Sequence, residues 1–151
     1  MEFLDFKNLL NKSIEKFQQE EESLFSIYQA SLQEETISHH LACKMGVIFG
    51  NYNVDCEYNR QPGGDKKQDD QSANRRPDII IHKRGNNDSN LALIEVKWDG
   101  NRSNDSIKIT SFSNLRYAYG VAVRFDKDGK TASIIIYNYK TLAKENYELK
   151  T

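Results

Sequence analysis

The spacing of apolar side chains changes period along this chain, and each change marks a new element. Phe3, Phe6, Leu10, Ile14 and Phe17 step by three and four residues, which places them on one face of a helix. The acidic run Glu20–Glu22 carries no apolar stripe, and a bend is expected near Ser23. A second helix is predicted from about Leu24 to Met45, ahead of Gly46 and Gly50. Its stripe is Ile27, Ala30, Ile37, Leu41, Met45 and Ile48. Val54 to Tyr58 then reads as a short strand. Residues 59–76 contain no large apolar side chain and are punctuated by Pro62-Gly63-Gly64, so they read as a mobile surface loop.

Pro77 opens the next strand, whose three consecutive isoleucines, Ile79 to Ile81, predict burial on both faces. A polar turn, Gly85 to Ser89, leads to a strand from Leu91 to Trp98. So short a connection implies an antiparallel hairpin. Residues 103–117 read as a helix capped by Ser103 or Asn104. Gly120–Phe125 is a further strand, and the turn Asp126-Lys127-Asp128-Gly129 joins it to another over Thr131–Tyr137. The predicted fold class is α/β: a mixed sheet flanked by helices, with a central three-strand meander and a helical crossover. The whole of 1–151 reads as one domain, with 1–22 as an N-terminal helical extension.

Composition narrows the function classes. The 21 basic and 22 acidic side chains nearly cancel, leaving a net charge of −1. That excludes a tail-driven nucleic-acid binder, which needs a large positive excess. It does not exclude a nucleic-acid enzyme, whose charges act locally. No apolar run approaches the roughly 18 residues of a membrane span, so no membrane partner is expected. MEFLDFKNLL has no basic n-region and does not read as a signal peptide. Two cysteines, Cys43 and Cys56, are too few for a disulfide framework or a structural zinc site, which points to a reduced, cytoplasmic setting. Both are expected to be buried rather than nucleophilic.

Three acids stand where a core is expected. On the strand Leu91–Trp98, alternation puts Leu91, Leu93, Glu95 and Lys97 on one face. Desolvating such charges costs on the order of several kcal/mol per ion unless they are paired or bind something. The plain reading is a Glu95–Lys97 salt bridge at a fraying strand end. Asp78 opens the neighbouring strand, and hairpin geometry brings it to the same sheet edge as Glu95. Two close carboxylates repel unless a cation sits between them. At about 100° per residue, Glu34 falls in the middle of the second helix's apolar stripe. There it is either a sign of mistaken helix phase or a buried functional group. Glu35 points away from that stripe and is placed to pair with His39 at i+4.

Pro77-Asp78, followed after 16 residues by Glu95-Val96-Lys97, resembles the PD-(D/E)XK nuclease superfamily. The predicted order of helix, three-strand meander, helix and strand resembles that superfamily's restriction-endonuclease-like αβββαβ core. The stretches Asp55–Arg60 and Arg76–Arg84 look like a small uncharacterised subgroup. The resemblance covers about residues 30–125, leaving the first helix and the last strand outside it. It implies metal-dependent phosphodiester hydrolysis of nucleic acid, with DNA favoured over RNA and an endonuclease as the expected form. It also implies a site made of Asp78, Glu95, Lys97 and, from the preceding helix, Glu34.

The residue types suit that chemistry. Asp78, Glu95 and the Val96 carbonyl are hard oxygen ligands matched to Mg²⁺ or Mn²⁺, and Glu34 is placed to complete the metal shell. Lys97 would orient water or stabilise developing charge. Arg60, Lys66, Lys67, Arg75 and Arg76, against three aspartates, give the loop a local charge of +2 and make it the candidate nucleic-acid contact, with Lys108 and Arg116 following on the next helix. Lys83 and Arg84 lie at the far end of their strand. Tyr52 and Tyr58 read as strand packing or as base-stacking groups. His39 and His40 are adjacent and cannot chelate one ion well, and His82 reads as structural. A non-catalytic nucleic-acid- or protein-binding module on the same fold is the alternative. Nucleases that cut both strands often pair up, so a homodimer is a possible assembly.

Overall fold

A computed structural model of the chain describes residues 1–27, 32–56, 76–85, 90–98 and 109–151. The elements in chain order are α1 (Phe3–Glu20), α2 (Glu22–Ile27), α3 (Glu34–Ile48), β1 (Asn53–Cys56), β2 (Ile79–His82), β3 (Ala92–Trp98), β4 (Tyr119–Phe125), β5 (Thr131–Asn138) and β6 (Lys144–Lys150). The six strands form one mixed sheet in the order β1-β2-β3-β4-β5-β6. Every neighbouring pair is antiparallel except β3 and β4, which run parallel in the register Ala92↔Tyr119 to Trp98↔Phe125. The crossover that a parallel pair requires lies in the chain between them. Among the described residues, no helix is long and apolar enough to cross a membrane.

The apolar stripe of α1 is buried as its spacing predicts, with Phe6, Leu10, Ile14 and Phe17 fully enclosed. Because these side chains form part of the main core, α1 is an integral layer and not an appendage. α1 and α3 pack over one sheet face, which presents Ile79, Ile81, Ala92, Ile94, Val96, Val121 and Val123. Phe6 stacks on Tyr119 at 4.4 Å, and Phe17, Phe25 and Phe125 cluster at the other end of that layer. The opposite face of β2 and β3, through Ile80 and Leu93, packs against Phe112, Leu115 and Tyr117. Both faces of β2 are therefore covered, as its isoleucine run requires.

Three sequence expectations change. The predicted helix from Leu24 to Met45 is two helices, with α3 beginning at Glu34 behind an extended Gln33. Ala30 lies outside the described residues. Residues 103–108 of the predicted 103–117 helix also lie outside them. Its described end is a 3-10 turn over Ser113–Leu115, closed by Arg116 in the left-handed conformation at φ 56°. β6 was not anticipated. Its alternation is clear, with Glu145, Tyr147 and Leu149 half-buried and the residues between them exposed. Charges on both faces hid it, because Lys7 pairs with Glu145 and Tyr147 bonds Asn11, both on α1.

Gly120 has a packing role. A Cβ there would stand 2.1 Å from Ile109 Cγ2 and 2.4 Å from the Tyr139 hydroxyl, so only glycine lets the crossover segment seat on β4. Gly129 takes φ +74° in the β4–β5 turn and donates its N–H to the Asp126 carbonyl at 3.1 Å.

Candidate functional site

β3 is longer than β2, and that difference creates the site. The last rungs of the β2–β3 ladder are Ile79↔Ile94 and Ile80↔Leu93, so Asp78 stands opposite Glu95 one step past the pairing. Beyond it, among the described residues, Glu95 to Trp98 pair with β4 on one side only. On the open side, alternate backbone N–H groups point away from β4. Two carboxylates take them. Asp78 Oδ2 accepts from Val96 N at 2.7 Å, and Glu34 Oε1 accepts from Trp98 N at 3.4 Å. Pro77 directly precedes Asp78 and has no N–H to give, which suits a position just ahead of a strand.

The four sequence-predicted residues converge here. Glu95 is fully buried, at 0% exposure. Lys97 Nζ bonds Glu34 Oε2 at 3.0 Å. Burial pulls the Lys97 pKa down, but the Glu34 hydrogen bond and the charges of Glu34, Asp78 and Glu95 outweigh it, and the ammonium is held above its ordinary range. Arg124 is Lys97's register partner on β4 and shares its face, one strand over. Sequence reading passed over it, although Gly120, Ala122 and Arg124 alternate as a face should. Among the described residues, even with Arg124 counted, three carboxylates outnumber the two cations in this corner.

Two expectations are corrected. The salt bridge to Lys97 is made by Glu34, not by Glu95. Glu34 does not sit in the middle of a buried helical stripe. It is the first residue of α3, with its side chain 38% exposed, one turn before Ile37. The helical phase was right, but the helix begins there, so the carboxylate reaches the end of β3 and not the core.

Beside Asp78 is a cleft of about 280 Å³ lined by Glu35, Ser38, His39, Cys56 and Asp78. It lies between the first turns of α3 and the edge of the sheet. Cys43 and Cys56 are both exposed, against expectation. Cys43 lies on the outer side of α3, away from Ile37, Leu41 and Met45, and Cys56 ends a four-residue edge strand. Cys43 Sγ is 4.0 Å from His39 Nε2. His40 turns the other way, to Glu21 at 3.3 Å.

Arg60, Lys66, Lys67, Arg75, Lys108 and Tyr58 lie outside the described residues. Arg76 is exposed, two residues before Asp78. Tyr52 packs on the core with Lys83 Nζ 5.7 Å from its ring centre. At the far end of β2, His82 is not isolated. Its Nε2 is 2.7 Å from Asp55 Oδ2, and Arg84 also binds Asp55 through Nε at 3.1 Å and through its terminal nitrogen.

Among the described residues, no three His, Cys, Asp or Glu side chains group closely enough to hold a metal ion by themselves. Comparison of the chain with protein-family models, with curated proteins and with solved structures finds no match.

Proposed function

We propose that the chain is a small metal-dependent nuclease acting on DNA, with its site at the projecting end of β3. One observation carries this reading. A fully buried Glu95 faces Asp78 across the last step of a sheet edge, in a corner where, among the described residues, acids exceed bases. An added cation would relieve that excess. The element order supports the restriction-endonuclease-like topology: helix, three antiparallel strands, crossover, and a strand parallel to the third.

The donor set suits Mg²⁺ or Mn²⁺ held by two carboxylates and a backbone carbonyl. Mg²⁺ usually keeps several waters and substrate phosphate oxygens in its shell rather than filling an all-protein cage. Asp78, Glu95 and the Val96 carbonyl would hold it. When bound, the ion supplies Lewis acidity toward a phosphoryl oxygen and lowers the pKa of nearby water. Lys97, kept protonated by three carboxylates, offers N–H donors to charge developing on phosphate. The cleft beside Asp78 gives the backbone of a strand a path to that corner. The segment carrying Arg60, Lys66, Lys67, Arg75 and Arg76 begins just after Cys56, which lines the cleft, and ends just before Pro77.

The test is nicking of supercoiled DNA, and of RNA, by the purified chain with Mg²⁺ or Mn²⁺. Asp78→Ala and Lys97→Ala are the controls. Cleavage that needs the ion and both residues supports the reading, and a wild-type chain that cuts neither substrate overturns it.

One observation favours the non-catalytic module. Asp78 and Glu34 each already serve the backbone of β3, a structural duty that needs no metal. Nucleic-acid binding that survives Glu95→Ala, with no metal-dependent cutting, would select that alternative.

A further inference from the structure

We propose that Glu34 is the positioning residue of this site: it clamps Lys97 and the free end of β3 in place and does not ligate the cation. The purpose of the clamp rests on the nuclease reading; the clamp itself rests on geometry. Both oxygens of the carboxylate are committed to successive residues of one strand. Oε2 holds Lys97 Nζ at 3.0 Å and Oε1 faces the Trp98 N–H at 3.4 Å. Among the described residues, that stretch of β3 has no strand on its open side. Asp78 fixes the first outward N–H there, that of Val96, and Glu34 fixes the next.

Lys97 has a long, flexible stem and is 28% exposed, so its rotamers are not fixed by packing alone. Without Glu34 the ammonium would sample many positions around the corner. With it, the ammonium is held toward α3 within reach of the Asp78 and Glu95 charges. To enter the shell of a divalent ion, Glu34 would have to release either a charged partner or a strand N–H. A positioning role uses both contacts as they stand.

The chain provides its own reporter. Trp98 is the only tryptophan. Its backbone N–H meets Glu34, and its indole N–H donates to the Lys127 carbonyl at 3.3 Å.

The experiment compares the full wild-type chain with Glu34→Ala and Glu34→Gln. Trp98 amide hydrogen exchange and emission are followed without metal, and Mn²⁺ binding is followed by calorimetry. Glutamine keeps an oxygen for the Trp98 N–H but loses the charge that holds Lys97. In Glu34→Ala, Trp98 amide exchange is expected to rise by about tenfold or more, while Glu34→Gln stays near wild type. Mn²⁺ affinity should stay within about twofold in both variants, and in Glu34→Gln kcat for DNA cleavage should fall roughly tenfold or more at unchanged KM. A tenfold loss of Mn²⁺ affinity in Glu34→Gln would make Glu34 a ligand and overturn the proposal. So would Trp98 exchange that is unchanged in Glu34→Ala. If the wild-type chain binds no Mn²⁺, the nuclease reading fails on its own, and Trp98 exchange still decides for or against the clamp.

Discussion

β2 carries a polar cluster at each end, on the same face of the sheet, and among the described residues the two differ in charge balance. At the His82 end, among the described residues, one carboxylate, Asp55, is shared by His82 and Arg84. At the Asp78 end, Glu34, Asp78 and Glu95 surround Lys97, with Arg124 one strand over. Both clusters put ionisable groups on a face that is otherwise packed by Ile80, Leu93, Phe112 and Leu115. The first is a closed arrangement in which each acid oxygen has a cationic or imidazole donor. The second, counted over the described residues, keeps an acid excess beside a cleft open to solvent. Partial burial of charge is common to the two ends, so it does not by itself mark a ligand site; the proposed site rests on the imbalance.

The contrast is tested most severely by removing one charge from each end. Asp78→Asn should lower metal-dependent cleavage on the order of 10²-fold or more, because it removes a predicted ligand charge. Asp55→Asn should leave cleavage within about threefold, since that cluster meets nothing the reaction uses. Equal losses in a nicking assay would mean that charge balance does not separate a working site from a structural one.

Stability should move the opposite way. In metal-free protein, Glu95→Gln removes a buried charge from an acid-rich corner and should stabilise the fold by about 1–3 kcal/mol, a gain seen in natural active sites that hold unfavourable charge for function. That corresponds to roughly 2–4 °C per kcal/mol in a chain of this size. Urea melts of wild type and variant read it directly. A less stable Glu95→Gln would show that the Glu95 charge is already compensated within the fold, and the two ends of β2 would then be alike.

How much of this was legible in the sequence follows from which signals are local. The α1 stripe, the β2 isoleucine run and the β2–β3 hairpin depend on side-chain period and loop length, and each reads directly. So did the meeting of Asp78 with Glu95, because hairpin register fixes it. The start of α3 at Glu34 was not readable, since no proline or glycine marks it and Gln33 is a weak cap signal. That one boundary decides whether Glu34 points into a core or onto Lys97. β6 was hidden for a different reason. Its inward positions include Glu145, whose partner Lys7 is 138 residues away in sequence. The Asp55–His82 pair is also long-range and required the β1–β2 register, Asn53↔His82 and Asp55↔Ile80, to bring the two together. Arg124 was missed because its significance depends on parallel pairing with Lys97, which no property of β4 alone announces.

The smallest expected effect concerns pH at the balanced end. Arg84 and, after it, His82 hold the Asp55 carboxyl below its ordinary value of 3.8, against the opposing pull of burial. A carboxyl whose pKa is depressed by folding contributes stability above its unfolded pKa, and that contribution is lost as pH falls through the folded value. Arg84 is 65% exposed, so its share is screened, whereas the His82 side chain is 5% exposed. Asp55→Asn should therefore cost about 1–2 kcal/mol at pH 7. As far as Asp55 is concerned, that gap should hold down to about pH 5 and shrink progressively below about pH 4 as the wild-type carboxyl takes up its proton. Denaturant melts of both proteins at pH 7, 5 and 3 measure the gap. If it persists undiminished at pH 3, Asp55 contributes through shape and not charge. The two ends of β2 would then differ in packing before they differ in electrostatics.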